Sequence, residues 1–229
     1  MLEHKAIEHR VVNLVPGTHA AAVRVLGFRS GTVPALKLDG RRVQGTRAIA
    51  RALDEAQPQP PLFPADPLKR LRVEEAELWG DAVLQPVPRR IGNWIFAHRP
   101  EMRTRLARET GLPAPRILGP LNWPVTWYFA RKHGADDTDR VRKTIAMLPA
   151  VLDHVDELLD DGTIGGEQRN AADFQIATSV RLLMAIADLA PALEDRRAAA
   201  RFAKALMPDY PTGIPAGFIP RQWLGLLRS

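Results

Sequence analysis

Apolar residues recur along the second half of this chain with a helical period. Between Asp136 and Leu159 the positions Val141, Ile145, Leu148, Leu152, Val155 and Leu159 step by four, three, four, three and four, which places all six on one helix face. Pro149 should bend that helix. From Phe174 to Leu189 the chain is apolar almost all round, as expected of a buried central helix. The preceding Asn170-Ala171-Ala172-Asp173 reads as a reciprocal cap, so Asp173 is read as structural. Pro67 suits the first turn of a long helix striped by Leu71, Leu78, Ala82 and Val83, which Pro86 and Pro88 should kink or end. Helix is also predicted over Arg90 to His98, Glu101 to Glu109 with a stop at Gly111, Val125 to Arg131, and Glu194 to Leu206. The segment Leu112 to Trp123 carries four prolines or glycines and gives no clear element. The tail from Pro208 reads as irregular, with Trp223 and Leu224 packed back on the helices.

The first quarter follows another pattern. Leu2 to Ile7 reads as the tail of a helix, and His9 to Val15 as a strand bounded by Pro16-Gly17. A short helix over His19 to Leu26 should close at Gly27. In TVPALKLDGRRVQGTRAIARALDE, residues 32–55, two short strands flank Asp39-Gly40, a pair that accepts the positive φ of a tight hairpin. Thr46 stands where an N-cap belongs, ahead of Ala48, Ile49, Ala52 and Leu53 at helical spacing. Prolines at 58, 60, 61 and 64 then impose an extended connector.

Composition narrows the classes. Of 229 residues, 45% are hydrophobic and 25% charged, enough for a sizeable core. There is no cysteine, so disulfides, thiolate metal sites and a cysteine nucleophile are excluded within this sequence. The charge of +6 is spread among acids, as in RLRVEEAELWGD, with neither an aromatic-interleaved basic strand nor zinc-finger spacing. Neither a nucleic acid nor a membrane is therefore expected as a partner. The acids Asp153, Asp156, Glu157, Asp160 and Asp161 read as a solvated helix face, and no metal site is expected. A start without an apolar signal core points to the cytoplasm, and the abundance of Arg and Ala to a bacterial genome rich in GC.

The stretch Val33-Pro34, Asp39-Gly40 and Gly45-Thr46-Arg47-Ala48-Ile49, the connector LDEAQPQPPLFPADP, and NAADFQIATSVRLL together resemble the glutathione S-transferases. The resemblance implies an α/β thioredoxin-like N-terminal domain (residues 1–56, incomplete), a proline-rich linker (57–66), and an all-α helical-bundle C-terminal domain (67–229). It also implies a cis Val33-Pro34 bond and a homodimer. Glutathione or another low-molecular-weight thiol would be a co-substrate rather than a tightly bound cofactor, with an electrophilic small molecule as the second substrate. The thiol-binding positions carried over are Val33, Pro34, Gly45, Thr46 and Arg47. Gly45 departs from the family's acidic residue or Gln, and the pair Thr46-Arg47 would equally serve as a cap and a solvated cation. Trp79, Trp94, His98, Trp123, Trp127 and Tyr128 are candidates for the acceptor pocket or, alternatively, for core packing.

The family's activating Ser, Tyr or Cys would precede Leu2, so no catalytic residue is assigned, and His4 and His9 are read as incidental. In the family the first strand lies between the second and third. The resemblance therefore implies two strands about 9 to 10 Å apart across a vacant slot, or else strands that have moved together. Two functions stand open: conjugation of a thiol to an electrophile, and a non-catalytic binding or assembly module on the same fold.

Overall fold

A computed structural model describes residues 1–14, 19–109, 114–208 and 213–228. The chain opens with one helical turn, in which the Lys5 amide donates to the Met1 carbonyl. The Lys5 side chain is buried, and its ammonium donates to Asp54 Oδ1 at 2.7 Å and to the carbonyls of Gln57 and Pro60 at 2.5 and 2.8 Å. An ammonium has three protons, so all three are satisfied. This node ties the start of the chain to the connector.

The expected strand over His9 to Val15 is not formed in its described part. Residues 9–14 have no ladder partner, and Val11 and Val12 are exposed. Without a ladder partner, Val11 to Leu14 make no sheet with Ala35 to Leu38, so among the described residues the closed-up sheet is not realised. Val15 to Thr18 lie outside the described residues. The helix α1, His19–Val25, ends as predicted: the Phe28 amide reaches the Val23 carbonyl and the Gly27 amide that of Arg24, with Gly27 at φ 84°.

The strands β1 (Ala35–Leu38) and β2 (Arg41–Gln44) pair antiparallel, with Leu38 opposite Arg41 and Ala35 opposite Gln44. Asp39 and Gly40 both take positive φ, the geometry of a type I′ turn whose twist matches the strands. Helix α2, Thr46–Ala56, follows and buries Ile49, Ala50, Ala52 and Leu53. Its N-cap is Gly45 at φ 85°, not Thr46, which is the first helical residue. The chain turns there through a conformation that favours glycine.

The connector leads into α3, Pro67–Trp79, capped by Asp66 on the Lys69 amide. Its predicted stripe faces outward: Leu71, Leu78 and Val83 are exposed, while Val73, Ala76, Glu77, Gly80 and Leu84 are buried. Pro86 and Pro88 do not end the helical run. A π turn over Gly80–Leu84, closed by the Gln85 amide on the Gly80 carbonyl at 2.8 Å, inserts the wider register, and α4 (Pro86–His98) continues with Pro at its first position.

Helix α5, Pro100–Glu109, packs against α6, Pro115–Leu121, in the region where the sequence pattern gave no element. The predicted stop at Gly111 is outside the described residues. After α7 (Trp123–Lys132), the predicted long helix is two: α8, Thr138–Ala146, and α9, Leu148–Asp160, parted at Met147 ahead of Pro149. All six periodic positions still point inward, five buried and Leu159 partly so.

Helix α10, Ala171–Met184, is central, touching α2, α3, α4 and α12. Asn170 accepts from the Ala172 and Asp173 amides, and the Asp173 carboxylate accepts from Asn170 and Gly165, as the cap predicts. It stops at Met184, five residues before the predicted end at Leu189, and a 3-10 turn over Ala187–Leu189 follows. A short helix not predicted, α11 (Ala190–Glu194), comes next, and the predicted helix over Glu194 to Leu206 is α12, Arg197–Leu206, which starts three residues later than expected. The tail is fastened by the Asp188 carboxylate, which accepts the Gly217, Phe218 and Ile219 amides, and by Trp223 buried in the short α13, Arg221–Leu224. Among the described residues no helix is long and apolar enough to cross a membrane.

Candidate functional site

The first amides of a helix have no acceptor within it, so what faces them decides what they can do. In α2 the first intrahelical bond is from the Ile49 amide to the Gly45 carbonyl, and no side chain caps the helix. Thr46, Arg47 and Ala48 therefore present amides at the end of β2. The Val33-Pro34 bond is cis, and the Pro34 carbonyl accepts the Gly45 amide at 3.0 Å, which fixes the edge of the hairpin to the helix start. Gln44, which the sequence reading passed over, organises the loop ahead of this edge. Its side chain accepts the Ser30 amide at 3.0 Å and donates to the Ser30 and Thr32 carbonyls at 2.9 and 3.2 Å. An amide at a strand end facing a loop of free main-chain groups is the signal that marked it.

Val33 and Pro34 are exposed, whereas Gly45, Thr46 and Arg47 are half-buried. Arg47 Nε lies 3.4 Å from Glu77 Oε2, and Arg51 Nη1 lies 2.8 Å from the same oxygen, so part of the cation expected at the helix start is turned toward α3. Thr46 lines a cleft of about 700 Å³ between the start of the chain and the helical bundle. His4, Gln85, Arg169, Phe174, Gln175, Leu206 and Met207 are among its other walls, and none of residues 29–34 is.

The candidate aromatics divide. Trp94, buried, stacks on His98 at 4.8 Å and tilts against Trp223 at 4.9 Å; His98 meets Trp127 edge-on at 5.4 Å, and Trp127 stacks on Trp123. Trp94 Nε1 donates to Thr138 Oγ1 and the His98 ring contacts the Trp94 carbonyl, so the polar tips are held. Tyr128 is exposed, beside Phe129. Trp79 stands apart, against His154 at 4.5 Å. Of the adjacent Arg89 and Arg90, the second donates to Thr144 Oγ1 and to the His133 carbonyl. The His133 imidazole is held below its usual pKa by burial and then by the cations of Arg89, Lys132 and Arg90. Among the described residues no group of three or more His, Asp or Glu is placed to hold a metal ion.

A β-hairpin reached through a cis-proline, an uncapped helix start behind it and a bundle built on a capped central helix define a thioredoxin-like half joined to an all-helical half. Residues 1–61 match the family of the glutathione S-transferase N-terminal domain. Over 43 residues the chain is 46% identical to the probable maleylacetoacetate isomerase 1 of Drosophila melanogaster, a match spanning 19% of this chain and 18% of that protein. A solved glutathione S-transferase from Rhodospirillum rubrum F11 superposes with a TM-score of 0.59 at 20% identity, over 98% of this chain and 90% of that one. Residues 1–61 thus match the glutathione S-transferase N-terminal domain, and the chain shares the fold of the solved transferase.

Proposed function

We propose that this chain holds a low-molecular-weight thiol, glutathione or an analogue, for transfer to an electrophilic small molecule. The division into residues 1–56, a connector over 57–66 and residues 67–229 is part of this reading, as are a cytoplasmic location and a homodimer. The observation that carries it is the uncapped start of α2, an eleven-residue helix whose first residue, Thr46, lines the cleft. A carboxylate suits such a place, because free N–H groups and the helix dipole both favour negative charge. The γ-glutamyl carboxylate would sit at Thr46, flanked by Gly45 and Arg47, and the cysteine main chain would pair with Val33 beside Pro34. In a transferase of this kind the thiol gives its proton to solvent and attacks as thiolate. As the S–C bond forms, the electrophilic carbon expels its leaving group with the bonding pair or opens its π bond to an adjacent atom that is then protonated. Trp94, His98, Trp127, Trp123, Tyr128 and Trp79 are the acceptor-side candidates, and no catalytic residue is assigned.

A second reading, a non-catalytic binding or assembly module, is favoured by one observation: Arg47 is engaged by the buried Glu77. Retention on immobilised glutathione, release by free glutathione, and loss of both in Thr46→Ala are expected for the thiol site. Passage of the wild-type chain through the column unretained would favour the module.

A further inference from the structure

The cleft at Thr46 has a second wall with unused donors. Five buried side-chain atoms have no hydrogen-bond partner among the described residues: His4 Nε2, Glu77 Oε1, Arg103 Nε, Arg169 Nη1 and Gln175 Nε2. Three of them, on His4, Arg169 and Gln175, belong to residues that line this one cleft. All three are nitrogens, and Gln175 is only 2% exposed. Buried polar groups in folded proteins are nearly always paired; the Arg169 and Gln175 nitrogens can only donate, and His4 Nε2 donates in one of its two neutral tautomers, so together they call for an acceptor.

We propose that His4, Arg169 and Gln175 form a subsite for the carboxylate of an apolar organic acid, whose body lies against Phe174, Leu206 and Met207. A planar guanidinium beside an amide and an imidazole suits a carboxylate, whose two oxygens together accept several hydrogen bonds. The nitrogens are buried while His4 and Arg169 as residues are only half-buried, so binding requires those two side chains to turn toward the opening. Of the acids nearby, Glu3 on the rim is exposed, and Asp173, whose charge reaches Arg169 and His4, gives its hydrogen-bonding oxygens to the Gly165 and Asn170 amides. Burial, and then neighbouring cations, hold the His4 imidazole below its usual pKa, so at neutral pH it serves as a neutral hydrogen-bonding ring. Taking this acid as the electrophilic second substrate rests on the transferase reading above and seats it at this cleft in place of the aromatic candidates, which are not among the cleft's lining residues; the carboxylate subsite itself does not rest on that reading.

The test is calorimetric titration of the full chain with octanoate, octanamide and glutathione. Octanoate is expected to bind at least about tenfold more tightly than octanamide, since only the acid satisfies the three donors without adding its own. Arg169→Gln, and the isosteric Gln175→Glu, which places a negative charge at the subsite, should each weaken octanoate about tenfold or more and leave octanamide within about twofold. Glutathione binding should survive Arg169→Gln and be lost in Thr46→Ala. Equal affinity for acid and amide, or octanoate binding unchanged in a folded Arg169→Gln or Gln175→Glu protein, overturns the subsite. Octanoate discrimination without any glutathione binding supports the subsite and overturns the thiol reading alone.

Discussion

Arg51 Nη1 lies 2.8 Å from Oε2 of Glu77, a carboxylate on α3 whose side chain is 1% exposed, and this pair fastens α2 to the first long helix of the bundle. Arg47 adds a longer contact at 3.4 Å to the same oxygen. The two arginines keep about a third of their side chains in water, whereas the carboxylate has almost none.

That asymmetry sets the order of mutant stabilities. Arg51→Ala leaves a buried charge with only the longer partner and should cost about 2 to 3 kcal/mol. Glu77→Gln leaves arginines that can hydrate and should cost about 1 kcal/mol. Urea titrations of both variants check this; a larger loss for Glu77→Gln would refute the account.

Asp173 gives a prediction in pH. Burial raises its pKa above the usual carboxylate value, opposed by the hydrogen bonds from Gly165 and Asn170. A folded pKa above the unfolded one means the native state binds the proton more readily, so this group's contribution falls as pH rises through the window above the unfolded value of about 3.9. Asp173→Asn keeps the shape but only one acceptor oxygen and should cost about 1 to 3 kcal/mol at neutral pH. Because wild type gains from protonation and the variant does not, the gap between them should widen on acidification. Denaturation at two pH values measures it, and a gap that narrows in acid contradicts the sign.

Gly119 marks where α6 crosses α5 at close range. A Cβ there would stand 2.6 Å from the Thr104 Cα and 2.9 Å from its amide nitrogen, both backbone atoms that cannot swing away. Gly119→Ala should therefore lower stability by about 1 to 3 kcal/mol, despite alanine's better helix propensity. A thermal melt equal to or above wild type would show that the two helices part freely.

The outward stripe on α3 bears on assembly. Leu68, Leu71 and Leu78 are 73%, 52% and 48% exposed, with Val83 also open on the following turn. A surface row of large apolar side chains suits contact with a second copy of the chain, as the proposed homodimer requires. Light scattering should give twice the chain mass for wild type, and Leu71→Asp with Leu78→Asp should give a folded monomer. A monomeric wild type would remove the dimer from the proposal.

Local chemistry was legible where a few adjacent residues decide the outcome. Asp39-Gly40 makes the type I′ turn, Gly27 closes α1, and Asn170 with Asp173 caps α10, because each depends on φ preference or on a side chain reaching its own backbone. The six-residue stripe through α8 and α9 was legible as well, since burial follows helical period even across the break at Met147.

What tertiary structure alone decided are the questions of partner and direction. Periodicity shows that α3 has an apolar stripe but not which way it turns, and packing against α10 selected the face of Val73, Ala76 and Glu77 instead of Leu71 and Leu78. Pro86 and Pro88 forbid ordinary hydrogen bonds, yet only the surrounding bundle determines that a π turn absorbs them. The valines of residues 9–14 favour a strand, but a ladder needs a hydrogen-bonded neighbour, and none is paired with them among the described residues. His4 and Gln175 stand 171 positions apart in the sequence, so no local rule could bring their nitrogens to one cleft. The sequence by itself determined turns, caps and helical period, which arise from short-range sterics and hydrogen bonding; the site required the long-range packing that sets distant side chains face to face.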